Sequence, residues 1–182
     1  MSSNNKPETY DAFEKSSDKQ LDTEGRVAKM MQGVKEKVAK HGHIIQLVTG
    51  EESFSYSVGR SPDYEVFTAG CSEIIGQLLN EVIGMLKSET VSIVEGVPFT
   101  SEIAAVSIDS VEHALRVKYM IATAPQNELI NSEYGHVANI YSENPKWIIL
   151  HTGDFNNLLP GEEGFVEKVP LMLELAKVDV LH

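Results

Sequence analysis

The chain has 182 residues, 42% of them hydrophobic, which is enough to bury one sizeable core in a single domain with tails. Its formal charge of −12 repels polyphosphate, and its single cysteine, Cys71, rules out an internal disulfide or a cysteine-based metal knuckle. Nucleic acid is therefore not expected as a partner, although bulk charge leaves room for a small anion held in a local basic pocket. One cysteine fits a reducing cytoplasm, and with neither a signal-peptide pattern nor a bilayer-length apolar run the expectation is a cytoplasmic protein with no membrane partner.

In chain order, residues 1–20 are rich in Ser, Asn, Lys, Asp and Glu and carry too little apolar surface to offset their ordering entropy, so a disordered tail is expected there. From Thr23, the residues Val27, Met30, Met31, Val34 and Val38 recur at helical spacing, which predicts a helix that Gly42 ends. The stretch from His41 to Gly70 predicts three strands, with turns at Gly50-Glu51-Glu52 and at Gly59-Arg60-Ser61-Pro62-Asp63. Within it Phe54, Tyr56 and Val58 alternate with serines and share one face. Ser72 caps a second predicted helix, Glu73 to about Lys87, whose wide apolar face is expected to cover those three side chains. Two further strands, Val91 to Phe99 and Glu102 to Ile108, precede a third predicted helix in which Asp109 and Glu112 have capping-box spacing and Pro125 is the stop. Gly135 to Tyr141 and Lys146 to Thr152 read as a closing hairpin.

About seven strands and three helices, with strands grouped between helices, predict an α+β fold: a mainly antiparallel, curled and barrel-like sheet. It forms one domain over residues 21–164, followed by a C-terminal extension at 165–182.

Several short motifs carry a family likeness: His41-Gly42, Tyr56-Ser57-Val58-Gly59, Pro62-Asp63 leading into Val66-Phe67, and Trp147 with Asp154 and Pro160. Together, over roughly Lys40 to Pro160, they resemble the domain-of-unknown-function family numbered 4262. The chain departs from that pattern at His43, Arg60, Asp63, Ile149 and Gly161, where the family has Trp, Leu, Glu, Gln and a second Trp. The family carries no assigned reaction, so the resemblance implies a fold grouping rather than an activity.

Three constellations bear on chemistry. His41 and His43, two apart at a strand start, could share a face, and with His151 they would offer three imidazoles for a late transition metal. Ordinary cap and surface histidines explain the same residues, since no further ligand stands at a fixed spacing. Ser57 and Cys71 lack a recognisable base partner, and no Gly-x-Ser-x-Gly is present. The bend between the second and third strands sets Tyr56, Arg60, Asp63 and Tyr64 together, so a planar anion could stack on a tyrosine and be held by the guanidinium. The plainer reading is a hairpin turn in which Arg60 pairs with Glu65 or Asp63.

No phosphate loop, dinucleotide fingerprint or calcium loop can be written from the sequence, so no cofactor is expected. The function expected is binding: a small protein that sequesters or senses a small anionic or nucleotide-like molecule in a cavity between the sheet and the second helix. A hydrolase using His41 or His151 as base, with Asp154 or a bound metal, is the alternative, and the reading leans against catalysis. A third option is a protein-interaction subunit, with the Met30-Met31 stripe serving a homodimer.

Overall fold

The computed structural model describes residues 23–59, 63–140, 143–167 and 175. The expected tail at 1–20 and the bend residues Arg60, Ser61 and Pro62 lie outside the described residues. Three helices and six strands are present among the described residues: α1 (Thr23–His41), β1 (Ile44–Val48), β2 (Phe54–Val58), β3 (Tyr64–Ala69), α2 (Glu73–Lys87), β4 (Phe99–Ile108), β5 (Val111–Ile121), α3 (Ala124–Leu129) and β6 (Lys146–Thr152). The fold is α+β, and no described helix is long and apolar enough to cross a membrane.

The six strands form one curled sheet in the order β1-β2-β3-β6-β5-β4. Four neighbouring pairs are antiparallel; β3 and β6 are parallel, with Val66 beside Ile148 and Thr68 beside Leu150. These two central strands are covered on both faces, which is why their sequences read as near-continuous apolar runs, Val66-Phe67 and Trp147-Ile148-Ile149-Leu150.

Phe54, Tyr56 and Val58 do point inward, but α2 is not their cover. They lie with Phe67, Trp147 and Ile149 in a core closed by Val34 of α1, Ile130 and Leu175, with Val38, Tyr134 and Val137 at its margin. The rings interlock, Tyr56 meeting Trp147 edge-on at 5.8 Å and Phe54 meeting Tyr134 edge-on at 5.2 Å, an arrangement that adds to the area buried. Leu175, in the stretch expected as an extension, is 2% exposed within this core.

The helix α2 begins where Ser72 accepts the Ile75 amide and covers the opposite face of the sheet. Leu78, Leu79, Val82 and Ile83 pack there on Val66, Val117, Ile148 and Leu150. The reason is geometric: successive side chains of β3 and β6 alternate faces, so each strand requires two covers, and the helix that follows β3 takes the Val66 side. The space expected for a ligand between the sheet and this helix is packed with apolar side chains of 0–3% exposure.

Three expected elements differ in the structure. Asp109 and Ser110 both take positive φ, 49° and 66°, the geometry of a two-residue hairpin turn. The chain therefore turns back into β5 where a third helix is expected, and Val111, His113, Leu115, Val117, Tyr119 and Ile121 alternate along it. Pro125 starts α3 rather than stopping a helix, behind a capping box between Thr123 and Gln126. Residues 91–98 are irregular apart from a turn, and His136–Ile140 is a short 3-10 helix rather than a strand. Both edges of β6 are taken by β3 and β5, which leaves no place for a hairpin partner, and at Gly135 the backbone crosses the Trp147 ring so closely that a Cβ would collide with it. A second close approach, at Gly59, lets the β2 end slide under Val38 of α1 at a φ of 93°.

Candidate functional site

Because β3 and β6 run parallel, their carboxyl ends lie side by side at one rim of the sheet. Beyond β6 the chain folds back over this rim as a loop through residue 167, and the loop is tied down at several points. Asp154 is the central tie: Oδ1 accepts the amides of Asn156 (2.8 Å) and Leu158 (2.9 Å), and Oδ2 accepts that of Val166 (2.9 Å). On the β5 side, Arg116 donates to both carboxylate oxygens of Glu162, each at 2.7 Å, and Lys118 Nζ donates to the Pro160 carbonyl at 3.1 Å. The guanidinium, with the Leu159 amide, holds the Glu162 carboxyl down at about 2, and the same contact raises Arg116.

Between the loop and the rim lies a cavity of about 130 Å³, lined by Thr68, His151, Thr152, Asp154, Phe165 and Glu167 among others. His151 sits beside Lys118 in the β5–β6 register. Burial, and then the Lys118 cation, push its imidazole down to about 4 from 6.5, so the ring is neutral at pH 7. Among the described residues its ring nitrogens and the Thr152 hydroxyl have no hydrogen-bond partner. Thr68, by contrast, donates to the Leu150 carbonyl at 2.9 Å.

The expected site residues separate into two ends of the sheet. His151 and Asp154 come together at the cavity. His41 and His43 lie three strands away at the opposite end, because β1 runs in the same direction as β3 and β6 and both histidines precede it. His41 is exposed at the end of α1, and His43 Nε2 meets Asn80 Oδ1 of α2 at 2.7 Å. The three histidines do not form a metal set, and among the described residues no group of three or more His, Cys, Asp or Glu side chains could hold a metal ion.

Gly59 and Asp63, the described residues on either side of positions 60–62, are at the same end of the sheet as His41. Arg60 lies outside the described residues, and Tyr56 is withdrawn from the surface at 2% exposure, its hydroxyl accepting the Val137 amide at 3.3 Å. Burial raises the pKa of that hydroxyl. Tyr64 belongs to the opposite face of the sheet, at the margin of the α2 core. Asp63 and Tyr64 line an open surface cleft with Glu143, Asn144 and Lys146. Tyr56 and Tyr64 therefore do not flank one ligand.

Glu65, expected as a possible ion-pair partner of Arg60, has backbone and hydroxyl partners in the structure. It is fully buried, accepts the Gly59 amide at 2.9 Å and the Ser57 hydroxyl, and so closes the β2–β3 connection. Ser57 also accepts the Val66 amide at 2.8 Å and is fully buried, which makes it part of that closure.

Comparison with family models, curated proteins and solved structures finds no match to this chain.

Proposed function

We propose that this chain binds a small polar molecule in the cavity at the carboxyl ends of β3 and β6. The observation that carries this reading is His151, a neutral imidazole facing a lined space and lacking a described hydrogen-bond partner. A partly buried polar ring without a partner loses about 1–3 kcal/mol of desolvation that a ligand restores. The imidazole offers one donor and one acceptor and the Thr152 hydroxyl a second pair, while the nearby Lys118 offsets the lining carboxylates Asp154 and Glu167, so a small polar ligand such as a hydroxy acid is favoured. A volume of about 130 Å³ is below the roughly 300–1,000 Å³ of drug-sized sites and suits a small metabolite. The lone Cys71 supports a cytoplasmic setting. The resemblance to the domain-of-unknown-function family numbered 4262 adds a proposed fold grouping and no reaction.

The hydrolase alternative is weaker at this site. A general base works best with a pKa near the working pH, and an imidazole at about 4 removes a proton from water with little driving force. Asp154, its expected orienting partner, receives three backbone amides of its own loop.

The test is a thermal-shift screen of small carboxylates and hydroxy acids on the wild-type chain. A stabilising compound should lose its effect in His151→Ala and keep it in Tyr64→Ala. The reverse pattern would move the site to the other end of the sheet and refute the reading.

A further inference from the structure

The helix α1 is a basic element in an acidic chain: Arg26, Lys29, Lys35, Lys37 and Lys40 stand on it against Glu24 and Glu36, while the whole chain carries a formal charge of −12. Arg26, Lys29, Met30 and Lys37 are spaced 3, 1 and 7 apart, which puts them on one stripe. That stripe forms one wall of a cleft of about 530 Å³, and Gln46 of β1 stands on the other. Arg26 and Lys37 make no ion pair with a described residue, and the Gln46 amide makes no hydrogen bond with one. The strand β1 is also the last of the sheet on this side.

We propose that this cleft docks an extended acidic peptide segment of a partner protein. Charge complementarity selects the sign of the partner, since Arg26 and Lys37, exposed and without an ion pair to a described residue, stand here in a chain of formal charge −12. Spacing selects the shape. Arg26 and Lys37 are eleven residues apart on the helix, about 16 Å at 1.5 Å per residue, which an extended peptide spans in about five residues. Carboxylates four or six positions apart on such a peptide share a side and reach both cations, while the Gln46 amide can pair with the intervening backbone. A membrane is a poorer match, because Val34 of the cleft lining is buried against the core and, among the described residues of α1, the large exposed apolar side chains are Val27 and Met30 alone.

The experiment is fluorescence anisotropy of the full chain with a labelled (Glu-Thr)4 peptide and its (Lys-Thr)4 counterpart. The acidic peptide should bind saturably and more weakly as salt rises, and the basic one should not bind. Arg26→Glu with Lys37→Glu should weaken binding at least tenfold, whereas Lys40→Glu, on the same helix but outside the cleft, should leave it within about twofold. All three positions are exposed, so circular dichroism of the variants should match wild type. Absence of saturable binding, or an equal loss in Lys40→Glu, overturns the proposal. So does a concentration-dependent dimer that the double variant abolishes in the absence of peptide binding, which would make a second copy the occupant. Sedimentation with vesicles of equal phosphatidylcholine and phosphatidylserine, without peptide binding, would overturn it in favour of a lipid surface.

Discussion

The imidazole of His151 makes acid stability a test of the site. In the folded chain burial and Lys118 push its pKa down to about 4; in the unfolded chain it returns to 6.5. The unfolded state therefore binds the proton first as pH falls, so the contribution is fully present above pH 6.5 and is lost progressively toward pH 4. Between pH 7.5 and 4.5 the two pKa values give a loss of about 2–3 kcal/mol from this one group. The perturbation is His151→Gln, which keeps a polar side chain and removes the titration. Urea unfolding at pH 7.5, 6.0, 5.0 and 4.5 should show the wild type losing about 2–3 kcal/mol more than the variant over that range. In melting temperature the difference corresponds to about 5–10 °C for a domain of this size. Glu162 titrates in both proteins and its effect cancels; its low pKa places its own loss at more acidic pH, from about 4.5 downward to about 2. Parallel wild-type and variant curves across the range would refute the argument, because they would mean that the ring protonates equally in both states.

Other consequences concern the frame that positions the cavity. Gly59→Ala should destabilise by about 1–3 kcal/mol in urea unfolding, since it combines a φ of 93° with a collision against Val38. Glu65→Ala leaves the Ser57 hydroxyl and the Gly59 amide without their buried acceptor and should cost about 2–4 kcal/mol, with Ser57→Ala costing less; equal melting temperatures for the Glu65 variant and wild type would remove Glu65 as the closure of the bend. Leu175→Ala should cost about 2–5 kcal/mol, because the side chain is 2% exposed among Ile130, Trp147 and Phe54. A Leu175 variant with unchanged stability would show that the C-terminal segment is dispensable to the core.

Elements bounded by strong local signals are legible in the sequence. The stripe from Thr23 and the Ser72 cap delimit α1 and α2, and the Ser-aromatic alternation fixes β2. The hairpin β4–β5 is not, because Asp109…Glu112 satisfies a capping box and a hairpin turn equally well until pairing with β6 decides in favour of the strand. Which face α2 covers depends on the parallel β3–β6 pair, whose members are about eighty residues apart, and no short-range pattern reports it. The site follows the same division. His151 and Asp154 stand out as residue types, and their proximity follows from a separation of three positions at a strand end. Lys118 reaches His151 only through the register of two strands, and Thr68 reaches the cavity only through the parallel pair. Tyr56 and Tyr64 look like partners across a bend because their opposite faces become apparent only once the two cores are distinguished.

Nuclear magnetic resonance of the His151 ring protons reads both its charge and its occupancy. The expected titration midpoint is about 4, and at pH 7 the ring signals should move on addition of a compound that raises the melting temperature. A midpoint at the ordinary 6.5, together with ligand-induced shifts confined to Tyr64 and its surroundings, would contradict the placement of the site at the β3–β6 rim.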